Sequence, residues 1–588
     1  MEVIISTLNS KFIHSSLSIR YLKSYCQDIP NIKIREYTIN QNADFITGEL
    51  YKENPSIIAF SCYIWNIENT LEICKRLKVV KPGIKIILGG PEVSYDGEKI
   101  LEKHPYIDFI IYGEGEGTFR ELIINLINKE KNFKNIEGLI YNYEGKVFKN
   151  PPRPLIETLD KIPSPYDKLD KGLKNKIVYF ESSRGCPFNC QFCLSSTIKG
   201  VRFFSIERVK MDLEKLINAE VRQVKFVDRT FNANKEYAME IMNFIMEKDP
   251  ENINFHFEVT AHLLDEEMLD FLSHVKEGLF QFEIGVQSTN EKTLDTSGRT
   301  TDLNKLYKVV KEIKSYRNIH QHLDLIAGLP YEDYRSFRKS FNDVYNLGPE
   351  KLQLGFLKLL KGSGLRHNKD EYGYKFLDKP PYEVLETKYM DYGEMLRLKT
   401  IEDLVEKYGN EKFFENTIKY IIMNYYDSPF DFFEEFSFYW ESKGYHKVSH
   451  SRKKLYKILY DFYLEKVGKN LSIFNEIIKY DYIFNNQNLN LPIYINRINK
   501  EKIQSLRHDI LKDPCIKSNY LKDMEKEPTK KVINKTHIEM FEINILDFIE
   551  NDFVLSKLKR ENTLILFVYK DGVLNKCGVF NITDKITR

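Results

Sequence analysis

Two long series of alternating strand and helix patterns leave few folds open to this chain. In residues 1–132, strand-like runs stand at 3–7, 32–39, 56–62, 84–88 and 107–113. Helical patterns separate them. Between 66 and 79, Ile67, Leu71, Cys74 and Leu77 recur at helical spacing. The run Ile57-Ile58-Ala59-Phe60 is apolar without alternation, as a strand buried on both faces must be. Five βα units in series predict an α/β fold with a doubly wound, Rossmann-like parallel sheet. Such sheets bind ligands at the carboxyl ends of their strands.

The second series predicts strands at 177–182, 223–228, 253–259, 279–286, 320–326 and 351–357, with helices over 206–219 and 234–247 among those between. Six βα units imply a partial (β/α)6 barrel over residues 176–370, with its active site at the C-terminal strand ends. Residues 133–175 read as a separate segment. Residues 139–147 form a hairpin turning at Glu144-Gly145, and Pro151, Pro152, Pro154, Pro163 and Pro165 follow as an extended linker. Residues 371–588 read as a mainly helical C-terminal domain. Helix is expected over 384–468, with Tyr425, Tyr426, Phe430, Phe432, Phe433 and Trp440 as core. His450 to Lys454 read as a solvated helix face. The Asn- and Lys-rich stretch 470–535 carries no clear period, and 564–580 reads as a hairpin around Lys570-Asp571-Gly572.

Composition narrows the function classes. The 588 residues suggest three or four domains at roughly 100–200 residues each. Net charge is +2, from 87 basic and 85 acidic residues, which makes no general case for a nucleic-acid or membrane partner. No stretch of about 20 apolar residues is present, so no spanning helix is expected. The opening residues lack the basic region and apolar length of a secretory leader. Eight cysteines are too sparse for a disulfide scaffold, and a reducing, cytoplasmic setting is expected.

Three of those cysteines crowd into Cys186-Pro187-Phe188-Asn189-Cys190-Gln191-Phe192-Cys193, directly after a predicted strand. A [4Fe–4S] cube normally takes four thiolates. Three leave one iron open, able to chelate the amino and carboxylate groups of S-adenosylmethionine. The competing reading is structural zinc, which usually takes two separated ligand pairs. Cys26, Cys62, Cys74, Cys515 and Cys577 are scattered, and the loop holds no histidine.

This spacing in a strand-to-helix setting resembles the radical S-adenosylmethionine superfamily over about residues 176–360. The resemblance implies a [4Fe–4S] cluster on Cys186, Cys190 and Cys193, S-adenosylmethionine as co-substrate, and a 5′-deoxyadenosyl radical made by reductive C–S cleavage. It also implies an electron donor such as flavodoxin or ferredoxin. It places Phe192 at the adenine and Asp228 at the methionine amino group, although Arg229 stands where many relatives have a second acid. Glu258 and Gln287 match positions near the ribose or methionine. Asp324-Leu325-Ile326-Ala327-Gly328-Leu329-Pro330 resembles the fifth-strand motif, in which Gly328 and Leu329 would pack against adenine. Taken alone, each of these residues has an ordinary reading as a cap, a strand-end acid or a turn. Their common placement after successive strands favours the site.

In the first domain, Leu88-Gly89-Gly90-Pro91 and the run from Tyr106 to Glu116 resemble the cobalamin-binding domain that precedes many radical S-adenosylmethionine enzymes. Ser61, Gly89 and Gly90 are the implied lining for cobalamin. The Asp-x-His-x-x-Gly motif that supplies a cobalt ligand in other modules is absent. His14 therefore reads as a loop or cap histidine, and Glu114 and Glu116 as helix N-terminal acids.

The expected function is a cobalamin-dependent radical enzyme acting on a small molecule, with methylation of a carbon favoured over oxidation, cyclisation or rearrangement. Two further alternatives are tRNA methylthiolation, which needs a second cluster in the first domain, and a cobalamin sensor, which has no need of an open iron. No residue is assigned as directly catalytic. Joint use of both cofactors requires the carboxyl edge of the first sheet to face the barrel mouth. The C-terminal region is expected against the barrel or the same cleft.

Overall fold

The computed structural model describes the chain apart from residues 168, 170, 199, 488–489, 525–526, 570–576 and 586–588. It contains two compact units: residues 1–350 with 354–395, and residues 351–353 with 396–588.

The first unit begins with a seven-stranded sheet of order β2-β1-β3-β4-β5-β6-β7. Its strands are β1 (Val3–Asn9), β2 (Ile32–Thr38), β3 (Ile57–Ser61), β4 (Lys85–Gly89), β5 (Phe109–Ile111), β6 (Leu139–Tyr143) and β7 (Lys146–Lys149). The first five are parallel, and every residue of β1 and β3 is buried. Helices cover both faces, as the unbroken apolar runs require.

The hairpin differs from its sequence reading as part of a separate segment. β6 pairs antiparallel with β5, and Leu139, Ile140 and Tyr141 are buried with the N-terminal sheet. The hairpin thus covers what would be an open apolar edge at β5. The proline stretch is also not a free linker. Arg153 binds Thr118 and Glu121 on the helix Gly115–Ile127, and Ile156 N–H donates to Glu114 at 2.8 Å.

The second sheet is a parallel, six-stranded partial barrel in sequence order. It comprises β8 (Ile177–Phe180), then, after the hairpin strands β9 (Ser183–Cys186) and β10 (Gly200–Phe203), β11 (Gln223–Phe226), β12 (Asn254–Glu258), β13 (Phe280–Gln287), β14 (His320–Ala327) and β15 (Lys351–Phe356). β8 and β15 are its open edges. β9 and β10 pair antiparallel and carry the three-cysteine loop between them. Gly185 sits at φ +107°, where an added Cβ would lie 2.1 Å from Gly200 O, so only glycine closes this hairpin. Beyond the barrel, β16 (Lys375–Phe376) and β17 (Val384–Glu386) pair antiparallel, so the expected helix begins only at Tyr392.

In the second unit, helices Glu415–Tyr425, Pro429–Ser442, Arg452–Phe462 and Leu471–Asn485 gather the aromatic run. Phe430, Phe432, Phe433, Phe436 and Trp440 are buried there as core. A three-stranded antiparallel sheet of β18 (Thr536–Phe541), β19 (Thr563–Tyr569) and β20 (Cys577–Asn581) follows. The strands flanking the expected 564–580 hairpin are therefore paired, while its turn at 570–572 lies outside the described residues. Among the described residues, no helix is long and apolar enough to cross a membrane.

Candidate active site

A cavity of about 160 Å³ opens at the carboxyl ends of the barrel strands, lined by Cys186, Cys190, Cys193, Phe192, Glu258 and Gln287 together with Arg229, Glu283, Arg299 and Asp324. Cys186 ends β9, and its Sγ lies 3.6 Å from Thr230 Oγ1. Cys190 Sγ lies 3.8 Å from Arg299 Nη1, and Cys193 Sγ accepts Ser195 N–H at 3.4 Å. Burial raises the pKa of the Cys190 thiol, and the Arg299 guanidinium beside it opposes the rise. The loop is docked by backbone: Gln191 N–H donates to Ser297 O at 2.8 Å, and Leu365 N–H donates to Gln191 O at 2.9 Å.

Strand alternation supplies the cavity wall. In β13, Phe280, Phe282, Ile284 and Val286 are buried, while Gln281, Glu283, Gly285 and Gln287 form the opposite face. The register sets Glu258 beside Glu283 and Gly285 beside Asp324. Glu283 binds Lys225 Nζ at 2.8 Å and stands 3.0 Å from His256 Nε2. Burial pushes the Glu283 carboxyl up, but these two partners outweigh it and hold it at about 2. Glu258 and Asp324 have no ion pair of this kind among the described residues, and the more distant charges of Arg229, Lys225 and Arg299 only oppose the effect of burial there. Burial, with Glu283 and Glu258 nearby, lifts Asp324 to about 8, and burial lifts Glu258 to about 7. Asp324 Oδ1, Gln287 Oε1 and Arg299 Nε are buried with no hydrogen-bond partner among the described residues. Unpaired polar atoms on one cavity wall fit a polar ligand carrying both donors and acceptors.

Three residues named from sequence lie off this wall. Asp228 is 1% exposed. It accepts Ser182 N–H at 3.0 Å, Ser182 Oγ at 2.6 Å and Ser183 Oγ at 2.5 Å. Its carboxylate is committed to the strand entering the cysteine loop, and Arg229 and Thr230 take its place at the cavity. Gly328 and Leu329 are also absent from the lining. Leu329 lies in an apolar cluster with Leu357, Leu365 and Val384, against which Phe192 packs. Conversely, sequence reasoning assigned no role to Glu283 or Arg299, and placed Asp324 only as the first residue of the fifth-strand motif. The polar face of β13 was a readable signal for Glu283; Arg299 comes from the turn after a short helix, and no pattern marked it.

At the first sheet, Gly89 ends β4 and pairs with Ser61, the last residue of β3. Ser61 Oγ lies 3.0 Å from Ser18 Oγ. Gly90 sits at φ +104°, and a Cβ there would fall 2.5 Å from Cys62 O. Exposed aromatic surface flanks the same edge: Phe12 is 74% exposed, and Trp65, stacked on Tyr63 at 4.5 Å, is 46% exposed. Aromatic faces beside the Ser18 and Ser61 hydroxyls fit a macrocycle that carries both apolar faces and amide side chains, as cobalamin does. His14 lies in the loop after β1, where Nδ1 is 2.9 Å from Tyr179 Oη and the backbone bridges to Ile177 of β8.

The carboxyl edge of this sheet meets the cysteine hairpin. Arg184, two residues before Cys186, binds Glu116 at 2.6 Å, Glu181 at 3.0 Å and Glu114 at 3.4 Å. Arg202 on β10 binds Glu114 at 2.6 Å. Glu114 and Glu116, read from sequence as helix N-terminal acids, are therefore also partners of the barrel hairpin. Glu114 is held below the usual carboxylate range because, although burial raises it, the hydrogen bonds from Arg202 and Ile156 and the charge of Arg184 prevail.

Comparison with known proteins agrees with this layout. Residues 4–123 match the B12 binding domain family, residues 180–344 the radical SAM superfamily, and residues 370–567 a family described as protein of unknown function (DUF4080). An uncharacterized methyltransferase, PH0819, of Pyrococcus horikoshii is 30% identical over 330 residues, covering 54% of this chain and 70% of that protein. The cobalamin-dependent radical SAM methyltransferase TokK of Streptomyces tokunonensis is 27% identical, covering 56% of this chain but only 51% of its own length. The solved structure of OxsB, a cobalamin-dependent S-adenosylmethionine radical enzyme with aqua-cobalamin and S-adenosylmethionine bound, shares the fold at a TM-score of 0.57 and 17% identity, over 82% of this chain and 78% of that one. The chain belongs to the radical S-adenosylmethionine enzymes that carry a B12-binding domain.

Proposed function

We propose that this enzyme transfers a methyl group to a carbon of a small molecule, with Cys186, Cys190 and Cys193 holding a [4Fe–4S] cluster. The observation that carries this reading is the single unit in which the three-cysteine cavity and the glycine edge of a B12-type sheet are joined by buried ion pairs. When bound, the cluster supplies the electron that cleaves S-adenosylmethionine, and cobalamin supplies the methyl group. The chain's residues bind and orient. Phe192 supports the adenine side of the cavity, backed by Leu329 and its apolar neighbours. Glu258, Gln287 and Asp324 offer hydrogen bonds to the ribose and methionine. Ser61, Gly89 and Gly90 form the cobalamin edge. A reducing protein such as flavodoxin or ferredoxin would reach the loop through its exposed residues Pro187 and Asn189.

Methylation is favoured by the names of the relatives, which include a 2-(S-pantetheinyl)-carbapenam-3-carboxylate methyltransferase at 26% identity. The second reading, oxidation or cyclisation, rests on the anaerobic magnesium-protoporphyrin IX monomethyl ester cyclases at 22–27% identity. A tRNA methylthiotransferase reading is supported less. The relative of that type is 21% identical, and Cys26, Cys62 and Cys74 are each buried in the core of the first sheet.

The deciding experiment is anaerobic reconstitution followed by incubation with S-adenosylmethionine bearing a trideuterated methyl group and a small-molecule extract. About four irons per chain are expected, and none in the Cys186, Cys190, Cys193 triple Ala variant. Methylation predicts S-adenosylhomocysteine alongside 5′-deoxyadenosine and a product carrying the trideuterated methyl. 5′-Deoxyadenosine with a converted but unlabelled product would establish the second reading instead.

A further inference from the structure

We propose that Tyr95 is a positioning residue that locks the segment after Gly89-Gly90 to the cysteine loop, holding the two cofactor sites at one separation. The inference rests on the reading that both sites are loaded.

The path from one site to the other is short. Gly89 O accepts Cys62 N–H at 2.7 Å, and Gly90 O accepts Ser94 Oγ at 2.8 Å. Gly90 itself tolerates no Cβ. The four-residue helix Pro91–Ser94 follows at once, and Tyr95 is its C-cap. Its hydroxyl lies 3.1 Å from Thr197 Oγ1, on the turn Leu194–Thr197 that directly follows Cys193.

The ring of Tyr95 fills a second contact. A Cβ on Gly362 would fall 2.2–2.5 Å from its ring atoms, so the ring lies flush on the backbone of the segment after β15. That segment also holds the loop. Leu365 N–H donates to Gln191 O, and a Cβ on Gly364 would meet Gln191 Oε1 at 1.9 Å. Tyr95 therefore touches both supports of the cysteine loop. Glu92 on the same helix accepts the Tyr382 hydroxyl and binds Lys361 Nζ at 3.1 Å, which stops the helix from sliding along the rim.

A structural role alone does not account for Tyr95. It is 39% exposed and fills no core, and its hydroxyl bond is solvent-accessible. Such a contact adds little to global stability. Its leverage is local, on a turn that starts one residue after Cys193.

The test compares reconstituted full-length wild type with Tyr95→Phe, Tyr95→Ala, Thr197→Val and Gly362→Ala. Iron content, cobalamin content and unfolding temperature are expected to stay near wild type for the Tyr95 and Thr197 variants. Pulsed EPR reads the dipolar coupling between cob(II)alamin and the reduced cluster. Its distance distribution should broaden in Tyr95→Ala and Gly362→Ala, with Tyr95→Phe closest to wild type because it keeps the ring. Independently, amide exchange over residues 194–203 should rise about threefold or more in Tyr95→Ala, as expected for a locally loosened turn. Unchanged distances together with unchanged exchange would refute the proposal. If wild type takes up no cobalamin, the proposed function fails, and the exchange measurement alone decides whether Tyr95 holds the loop. Should Tyr95→Ala not fold, Thr197→Val carries both measurements, with a broadened distance distribution and faster exchange expected and wild-type values for both refuting the proposal.

Discussion

Ser183 Oγ donates to Asp228 Oδ1 across 2.5 Å, tying the strand that enters the cysteine loop to the end of the next barrel strand. Ser182 adds its hydroxyl and its N–H to the same carboxylate. Burial raises the pKa of Asp228, and these three donors oppose the rise. Asp228→Asn would turn an amide N–H₂ toward groups that themselves donate. We expect a loss of about 1–3 kcal/mol, the cost of unsatisfied buried groups, read by anaerobic denaturant unfolding. Iron retention should fall with it, while the affinity for S-adenosylmethionine per loaded cluster stays within about twofold of wild type, under 0.5 kcal/mol. Weaker binding of S-adenosylmethionine with unchanged stability would return Asp228 to the ligand role that the resemblance implied.

Asp228 also shows where sequence reasoning reached its limit. The strand beneath it was legible, because Val224 and Phe226 are apolar and bounded by polar residues. So was its position after a strand of the barrel. Which way a strand-end carboxylate turns depends on whether donors on a neighbouring loop reach it first, and Ser182 and Ser183 do. The cysteine spacing was legible because cluster chemistry constrains residue type and spacing together. Arg184 was not, since its partners Glu114 and Glu116 lie about 70 residues earlier, and no local period links an arginine to acids on another sheet. The hairpin at 139–149 was legible as a hairpin but not as the edge of the first sheet, because pairing with β5 is set by tertiary packing.

The barrel wall predicts a pH dependence of stability. Asp324 is held at about 8 in the folded chain, against an ordinary value near 3.8. Between those values the folded state holds a proton that the unfolded state has lost. Stability therefore falls as pH rises through that window and levels off above about 8. Glu258, at about 7, contributes with the same sign. In cluster-loaded enzyme without S-adenosylmethionine, Asp324→Asn should flatten the fall in urea midpoint between about pH 5 and pH 8. Its gain over wild type should be larger at the higher pH. A variant whose profile runs parallel to wild type would show that Asp324 does not carry this proton.

Arg184 should be the most costly single residue at the junction of the two sheets. Its side chain is 12% exposed and faces Glu116, Glu181 and Glu114. Arg184→Met leaves Glu116 and Glu181 without their shared cation while Glu114 keeps Arg202, and in a buried setting that loss costs about 3–5 kcal/mol. Glu116→Gln should cost less, because a neutral amide oxygen still accepts from the guanidinium. Adding Glu116→Gln to Arg184→Met should recover part of the loss, since one unpaired charge is then gone. Denaturant midpoints of the four proteins measure the coupling. Strict additivity, or a loss under about 1 kcal/mol for Arg184→Met, would mean that the pairs are solvent-screened rather than buried.

The two glycines of the first sheet should separate folding from cofactor uptake. Gly90 has φ +104°, and its Cβ would fall 2.5 Å from Cys62 O, a backbone atom that cannot give way. Gly90→Ala should therefore destabilise the fold by about 1–3 kcal/mol through strain alone. Gly89 differs. A Cβ there would meet Ile111 O at 3.7 Å, an ordinary contact, so Gly89→Ala should fold as wild type does. A bulkier Gly89→Leu would project further from the strand end that pairs with Ser61. Cobalamin affinity should fall about tenfold or more, equivalent to roughly 1.4 kcal/mol. His14 provides the control on cobalt ligation. Its Nδ1 engages Tyr179 Oη, and its backbone is bridged to Ile177 of the barrel. His14→Ala should therefore leave the cobalt absorption bands and the cob(II)alamin hyperfine pattern unchanged. A loss of nitrogen superhyperfine splitting in that variant would establish His14 as a cobalt ligand and require its loop to leave β8 when cobalamin binds.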